Sequence, residues 1–161
     1  MHPGKAILYG VLGAAAISLL SAILRAIGLP LSIEIYLGTI TGLAPGAFAF
    51  GIGLVLHLAL GGLFGLLYGA LFERVWAHGG AFTGMLLSTL HAGLIGMLLG
   101  FANHVHPLVP ERLADPGPYF SHLGTAGVLS FFLAHLVYGA IVGAGYGHVA
   151  SERQWAPSGR L

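Results

Sequence analysis

The chain contains no cysteine and few charged residues, and each absence excludes a class of protein. Without cysteine there are no disulfide bonds, no thiolate metal sites and no cysteine nucleophiles. Lysine, arginine, aspartate and glutamate make up only 7% of the 161 residues, whereas a soluble domain carries about 25%. The formal net charge of +1 provides no basic field for nucleic acid. A membrane protein is the only broad class that fits.

The common catalytic motifs are also missing. The sequence contains no P-loop, no dinucleotide fingerprint, no G-x-S-x-G and no H-E-x-x-H motif. Its few carboxylates fall at helix ends or in loops, and none is placed to pair with another inside a membrane. They are Glu34, Glu73, Glu111, Asp115 and Glu152. We therefore predict that the protein is not an enzyme.

Apolar residues, by contrast, are abundant, at 57% of the chain with a mean hydropathy of +0.90. Four apolar segments reach the roughly 20 residues that a transmembrane helix needs. They cover residues 6–28, 47–72, 80–101 and 124–149. The first is too long for the apolar region of a signal peptide, so we expect it to be retained. The sequence predicts an all-α fold, with one transmembrane domain over residues 1–161 and a polar C-terminal tail at 150–161.

One pattern, H-L-x-x-G-x-x-x-G-x-x-Y-G, occurs in both the second and the fourth span. The first copy runs from His57 to Gly69 and the second from His135 to Gly147. The repetition predicts a bundle of four transmembrane helices made of two similar halves, at about residues 6–76 and 80–149. Because each half has an even number of spans, the halves should be parallel repeats related by an axis along the membrane normal.

The glycines of this pattern predict close helix packing. They recur every fourth residue, so they share one face of each helix. Small residues at this spacing let two membrane helices approach closely. The predicted packing residues are Gly61, Gly65, Gly69, Gly139, Gly143 and Gly147. The tyrosines that close the two copies, Tyr68 and Tyr146, are expected to anchor the helices at the membrane interface.

Three histidines, His57, His91 and His135, lie near the middle of predicted spans. An ionisable residue inside a membrane is costly and marks a candidate functional site. As neutral groups they can form hydrogen bonds between helices, with Ser88 as a candidate partner for His91. Alternatively, His57 and His135 can be the axial ligands of a b-type haem. A third alternative is that the histidines relay protons or line a small polar path.

The haem alternative conflicts with the glycine packing, because closely packed glycines leave no room for a porphyrin on the same helix face. We therefore expect no cofactor. The second loop holds the weak candidates for a metal site, His104, His106 and His122, with Glu111 and Asp115 nearby. These are ligand types that zinc and copper accept. No helix fixes their geometry, so a solvated loop is the preferred interpretation.

The first loop is largely apolar, so we expect it to lie on the membrane surface. Ser32 is a candidate cap for a short helix over residues 33–40, which Gly42 and Pro45 would end. The basic residues predict the orientation, because they concentrate on the cytoplasmic side of membrane proteins. Four lie at the end that carries both termini and two at the other end: Lys5, Arg74, Arg153 and Arg160, against Arg25 and Arg112. Both termini are predicted to be cytoplasmic.

The layout resembles a bacterial family of small four-helix inner-membrane proteins of unknown function, the YagU-like group. The resemblance lies in the ILYGVLGAA opening, the turn at Gly28–Pro30, the apolar first loop, the repeated pattern of the second span and the A-H-L-V-Y-G of the fourth. It covers about residues 6–149. It implies the four-helix membrane fold and a bacterial inner-membrane location, and it implies no particular chemistry.

The sequence favours a non-catalytic function, because little soluble mass is available to hold a substrate and glycine-rich faces suit docking between membrane helices. We predict a scaffold or an accessory subunit of a larger membrane complex. Its partners would be the lipid bilayer and either other membrane subunits or further copies of the chain, with no nucleic acid. Two alternatives remain open: a b-type haem electron-transfer subunit using His57 and His135, and a small transporter or channel.

Overall fold

The computed structural model describes residues 1–75 and 79–155, with side chains described as far as Gly147. The α-helices are α1 (Pro3–Ala26), α2 (Ile33–Thr39), α3 (Ala47–Arg74), α4 (Ala81–Leu99), α5 (Ala102–Val105) and α6 (Gly124–Trp155), and a 3-10 turn at Pro118–Leu123 precedes α6. Within these ranges the chain has no strand. The four long helices are long and apolar enough to cross a membrane. The predicted all-α fold with four membrane-spanning helices is confirmed.

The long helices pack as two hairpins. α1 lies along α3, α4 lies along α6, and α1 and α6 join the two hairpins. α3 meets α6 over a shorter stretch, and α3 and α4 have little direct contact. We call the end of the bundle near Met1 and Gly147 the terminal end, and the end near α2 and α5 the loop end. The bundle is therefore least tightly closed between α3 and α4.

Glycine allows the close approach within each hairpin. A Cβ atom built on Gly65 would lie 2.9 Å from the Cα of Gly10, and one on Gly143 would lie 2.9 Å from the Cα of Gly84. Real Cβ atoms essentially never approach another atom within 3.0 Å. No larger residue therefore fits at these positions without moving a helix backbone.

The other glycines of the repeated pattern lie in similar contacts. Gly61 lies against Ala14 and Gly10 of α1, and Gly139 lies against Gly84 and Ser88 of α4. A Cβ on Gly69 would lie 3.0 Å from the ring of Tyr146, and one on Gly147 would lie 2.7 Å from the Cα of Gly79. Apart from the Gly69 contact, these contacts lie within the hairpins rather than between the second and fourth spans. The equivalence of the two whole halves stays a prediction.

Aromatic side chains fill the bundle on the terminal side. Tyr68, Phe72, Tyr138 and Tyr146 are all buried there, in what we call the aromatic core. The prediction that Tyr68 and Tyr146 anchor the helices at the membrane interface is wrong. The ring of Tyr146 turns inward because Gly69 has no side chain to obstruct it.

The loop end is closed partly by α2, which packs on α3. Glycine again sets the distance: a Cβ on Gly53 would collide with the backbone carbonyl of Glu34. α2 ends at Thr39, close to the predicted end of 33–40. The cap predicted at Ser32 is wrong in one respect. Its hydroxyl makes no capping bond to the helix and instead donates to the Glu34 carboxylate, at 3.0 Å.

At the C-terminus, α6 continues to Trp155, so part of the predicted polar tail is helical. The remainder of that tail lies outside the described residues.

Candidate functional site

A cavity of about 460 Å³ lies inside the bundle, on the loop side of the aromatic core. This volume falls within the range of about 300–1,000 Å³ that is usual for small-molecule sites. Most of its wall is aliphatic or aromatic. Each long helix also contributes a side chain with a hydrogen-bonding group: Ser21 from α1, His57 from α3, His91 from α4, and both His135 and Tyr138 from α6.

The Nδ1 atoms of the three histidines are held by neighbouring groups. His57 Nδ1 is 3.0 Å from the hydroxyl of Ser18, which lies on α1. His135 Nδ1 is 2.8 Å from the carbonyl oxygen of Phe131, one turn earlier on α6. Because a carbonyl oxygen only accepts, His135 carries its proton on Nδ1 when the ring is neutral. This proton placement leaves Nε2 of His135 as a hydrogen-bond acceptor.

His91 occupies the centre of the cluster. Its ring stacks on Phe64 at a centroid distance of 3.9 Å and meets the ring of His135 edge to face at 5.3 Å. The hydroxyl of Tyr68 lies 3.3 Å from His91 Nδ1. His91 therefore links α3 and α6 to its own helix, α4.

The proposed hydrogen bond between Ser88 and His91 is not formed. The hydroxyl of Ser88 donates to the carbonyl of Met85, at 2.8 Å within α4. The prediction failed because the hydroxyl of a serine in a helix can donate to a backbone carbonyl of the preceding turn. The phenol of Tyr68 on α3 takes the place that the prediction gave to Ser88.

The Nε2 atoms of His57, His91 and His135 have no hydrogen-bond partner within the part of the chain that the structure describes, and neither does the hydroxyl of Ser21. None of these four atoms is sealed inside protein; among the described residues, the sealed side-chain atom without a partner is Glu34 Oε1. The four atoms belong to residues that line the cavity. The cavity thus combines an apolar wall with three imidazoles whose Nε2 atoms are available for hydrogen bonding, whereas Ser21 is almost completely buried.

The positions of the three histidines can be compared with those that a haem held by His57 and His135 would require. Two axial imidazoles must point at one iron from opposite sides of the porphyrin. The nearest rings to His135 are those of Phe131, at 4.3 Å, and His91, at 5.3 Å, and no ring contact joins His135 to His57 among the described residues. This arrangement does not favour a haem held by His57 and His135. The expected conflict between a haem and the packing glycines does not arise as predicted, because these glycines, apart from Gly69, pack within the hairpins, and Gly61 alone of the six lines the cavity.

The three loop histidines have separate surroundings. His106 is buried, with Nε2 2.9 Å from the carbonyl of Tyr36, and its Nδ1 accepts a hydrogen bond from the backbone N–H of Leu108. His122 is exposed, and its Nδ1 donates to the carbonyl of Asp115. His104 contacts only the ring of Phe101 among the described aromatic residues. Within the described ranges, no three metal-binding side chains come together.

His106 and Tyr36 close the loop end of the cavity. Both line it, and their contact fastens the second loop to α2. The hydroxyl of Tyr36 also donates to the carbonyl of Ala114, at 2.8 Å. Burial, together with the nearby carboxylate of Asp115, raises the pKa of Tyr36 above its usual 10.0. This phenol therefore stays a neutral donor at any physiological pH.

Two polar residues of this region were missed by sequence reasoning. Ser21, like Ser18, is a polar residue in the apolar middle of α1, and that contrast was an available signal. Glu34 is fully buried, 3.6 Å from Arg25, whose guanidinium also donates to the carbonyl of Leu31. The sequence placed Glu34 in a loop, where burial could not be foreseen without knowing that α2 packs on α3.

No protein-family model, curated protein or solved structure matches the chain. The resemblance to the YagU-like group accordingly stays a prediction.

Proposed function

We propose that the protein binds a small lipophilic molecule inside the membrane and hydrogen-bonds its polar group with His57, His91 and His135. The observation that carries this proposal is the cavity of about 460 Å³, whose apolar wall is interrupted by three histidines with no described partner at Nε2. Apolar walls with a few convergent polar groups are typical of small-molecule sites.

A purely structural role for the histidines is less well supported. Inside a membrane, an unsatisfied polar group costs several kcal/mol, so a structural histidine is expected to bond both ring nitrogens to protein. Here Nδ1 of each ring has a described partner, whereas Nε2 has none in the described part of the chain. A ligand with a polar group would supply the missing partner.

The aromatic core favours binding over passage through the bundle. A channel needs a continuous polar path, but Tyr68, Phe72, Tyr138 and Tyr146 fill the bundle beyond the terminal side of the cavity. The tyrosine hydroxyls have partners: that of Tyr138, for example, donates to the carbonyl of Gly61 at 2.7 Å. The small-transporter alternative would require this core to open.

The role of a scaffold or accessory subunit has less support. It depended partly on glycine faces available to partner helices, and the glycines of the repeated pattern are engaged within this chain. We propose a non-catalytic ligand-binding protein of the bacterial inner membrane. The orientation with both termini in the cytoplasm is part of the proposal and is supported by the distribution of basic residues.

The test is to identify what the protein retains when it is purified with its surrounding lipid. Polymer-excised membrane discs containing the parent chain would be extracted and analysed by mass spectrometry. We expect one lipophilic species to be enriched over the bulk membrane. The triple variant His57→Phe, His91→Phe, His135→Phe should lose about ten-fold or more of it, because each lost hydrogen bond weakens binding.

The control is His104→Phe, which changes a histidine that does not line the cavity. It should retain the species at the parental level. An extract with the same composition as the bulk membrane, or equal retention by the parent and the folded triple variant, would contradict the proposed function. Circular dichroism would establish that the variants fold.

A further inference from the structure

We infer that the ligand is a single-chain lipid alcohol and that it reaches the cavity sideways from the bilayer, between α3 and α4. This inference rests on the proposed function and adds the class of ligand and its route.

The route follows from residues that line the cavity and are also exposed on the outside of the bundle. Among the described side chains, four large apolar ones do both: Ile40, Leu60, Leu98 and Val105, with exposed fractions of 52%, 40%, 64% and 74%. Leu60 lies on α3, Leu98 on α4 and Val105 on α5, and Ile40 directly follows α2. We call this ring of side chains the lateral portal. It lies where α3 and α4 have little contact, so the cavity meets the surrounding lipid there.

The portal has a defined edge on the side that faces the terminal end. On its terminal side, Phe64 of α3 stacks on His91 of α4 at 3.9 Å, and Tyr68 lies 3.3 Å from His91 Nδ1. These contacts join α3 to α4 and confine the opening to the loop half of the bundle. His91 lies at the base of the portal, with His135 5.3 Å beyond it. A head group that enters from the bilayer would therefore reach the imidazoles first, while its chain remains near the portal.

Charge determines part of the head-group chemistry. No lysine, arginine, aspartate or glutamate lines the cavity in the described part of the chain. Arg25 is engaged with the carbonyl of Leu31 and the carboxylate of Glu34 instead. A phosphate or carboxylate would be buried there without a cation, which is strongly unfavourable. The head group is therefore uncharged.

The proton on His135 adds a second restriction. Its Nδ1–H donates to the carbonyl of Phe131, so the Nε2 of the neutral ring can only accept. The matching ligand atom must be a donor, and a hydroxyl is the simplest uncharged donor that a lipid carries. The same hydroxyl oxygen can also accept a hydrogen bond from a second donor.

The volume of the cavity limits the size of the ligand's hydrocarbon chain. A volume of about 460 Å³ lies within the range of about 300–1,000 Å³ that small-molecule sites occupy. A diacyl phospholipid is far larger than this, whereas the head and much of the chain of a single-chain alcohol would fit.

The experiment compares three probes with chains of similar length: dodecan-1-ol, methyl undecyl ether and dodecanoate. Each would be added to the parent chain in phosphatidylcholine nanodiscs, with binding measured by native mass spectrometry. We expect the alcohol to bind about ten-fold more tightly than the ether, which lacks the donor, and more tightly than the carboxylate. His135→Phe should remove the preference for alcohol over ether. His104→Phe should keep it.

The portal is tested by narrowing it. Leu98→Trp should slow the exchange of bound dodecan-1-ol several-fold. The control Leu94→Trp changes an exposed residue of the same helix that does not line the cavity, and it should leave exchange unchanged. Val105→Trp serves as a second portal variant if Leu98→Trp does not fold.

Three outcomes would overturn the inference. If the ether or the carboxylate binds as tightly as the alcohol, the assigned head group is wrong although the cavity still binds lipid. If none of the three probes binds while the purified chain retains another lipophile, the assigned class is wrong and the proposed function stands. If exchange is equal in the portal and control variants, the route is wrong. The proposed function itself is contradicted by the outcomes of its own test: an extract with the composition of the bulk membrane, or equal retention by the parent and the folded triple variant.

Discussion

The terminal and loop sides of this bundle both place aromatic side chains with polar groups in the interior, but protein partners satisfy the hydrogen bonding of the terminal-side tyrosines more fully than that of the cavity histidines on the loop side. On the terminal side, large tyrosine rings fill the interior, and the hydroxyls of Tyr138 and Tyr146 both donate to protein acceptors, a carbonyl at 2.7 Å and a carboxylate at 2.6 Å. On the loop side, the interior stays open and the Nε2 atoms of His57, His91 and His135 have no partner among the described residues. A fully satisfied interior stabilises a fold, whereas an incompletely satisfied one is suited to a ligand.

The largest effect is expected where glycine holds the hairpins together. Gly65→Leu and Gly143→Leu should each destabilise the bundle by several kcal/mol, because overpacking alone costs about 1–3 kcal/mol and here the colliding atoms belong to backbone. Thermal unfolding in detergent would measure the effect. Gly93→Leu is the matched control, since no atom of the described residues lies within 4 Å of its added Cβ. Equal melting of all three variants and the parent would mean that these glycines do not set the packing.

A smaller effect should come from filling the cavity. Ala134 is buried and lines the cavity, so Ala134→Leu would extend into empty space. We expect the ligand-free protein to gain about 1–2 kcal/mol, because removing a void recovers roughly 24 cal/mol per Å³. Binding of dodecan-1-ol should fall at the same time. Thermal unfolding and native mass spectrometry check the two effects. A variant that binds normally would show that the cavity is not the site.

The four spans and the packing glycines show how much of the fold could be predicted from the sequence. Hydropathy was sufficient for the four spans because a membrane helix needs an unbroken apolar run. The spacing of the glycines identified a face on each helix, but it could not identify the partner, and the partners proved to be α1 and α4. A spacing rule carries no information on which neighbour fills the gap.

The site itself was less predictable. His57, His91 and His135 were identifiable as costly intramembrane groups, and all three line one cavity. Their partners were not, because Ser18 and Tyr68 come from other helices and are distant in sequence. The inward turn of Tyr68 and Tyr146 was missed because tyrosine is equally common at membrane interfaces, and only the packing distinguishes the two.

The smallest expected effect is the difference in stability between a variant on the terminal side and a variant at the cavity. Tyr138→Phe removes a bond to the carbonyl of Gly61 and should cost about 0.6 kcal/mol, the average for such bonds between membrane helices. His135→Phe removes an imidazole whose Nε2 has no described partner, so the ligand-free protein should lose less stability or gain some. Paired unfolding measurements on both variants test this difference. A larger loss for His135→Phe would mean that its imidazole serves the fold.

The most direct test of the central claim, that the loop-side cavity binds lipid and the aromatic core does not, is photolabelling with a diazirine derivative of dodecan-1-ol. The labelled peptides would be mapped by mass spectrometry, with and without excess unlabelled dodecan-1-ol. We expect competed labels around Ile95–Leu99 and Phe131–His135, and none at Phe72 or Tyr146. Labels spread evenly over lipid-facing residues such as Phe82 and Leu129, and unaffected by the competitor, would contradict the account.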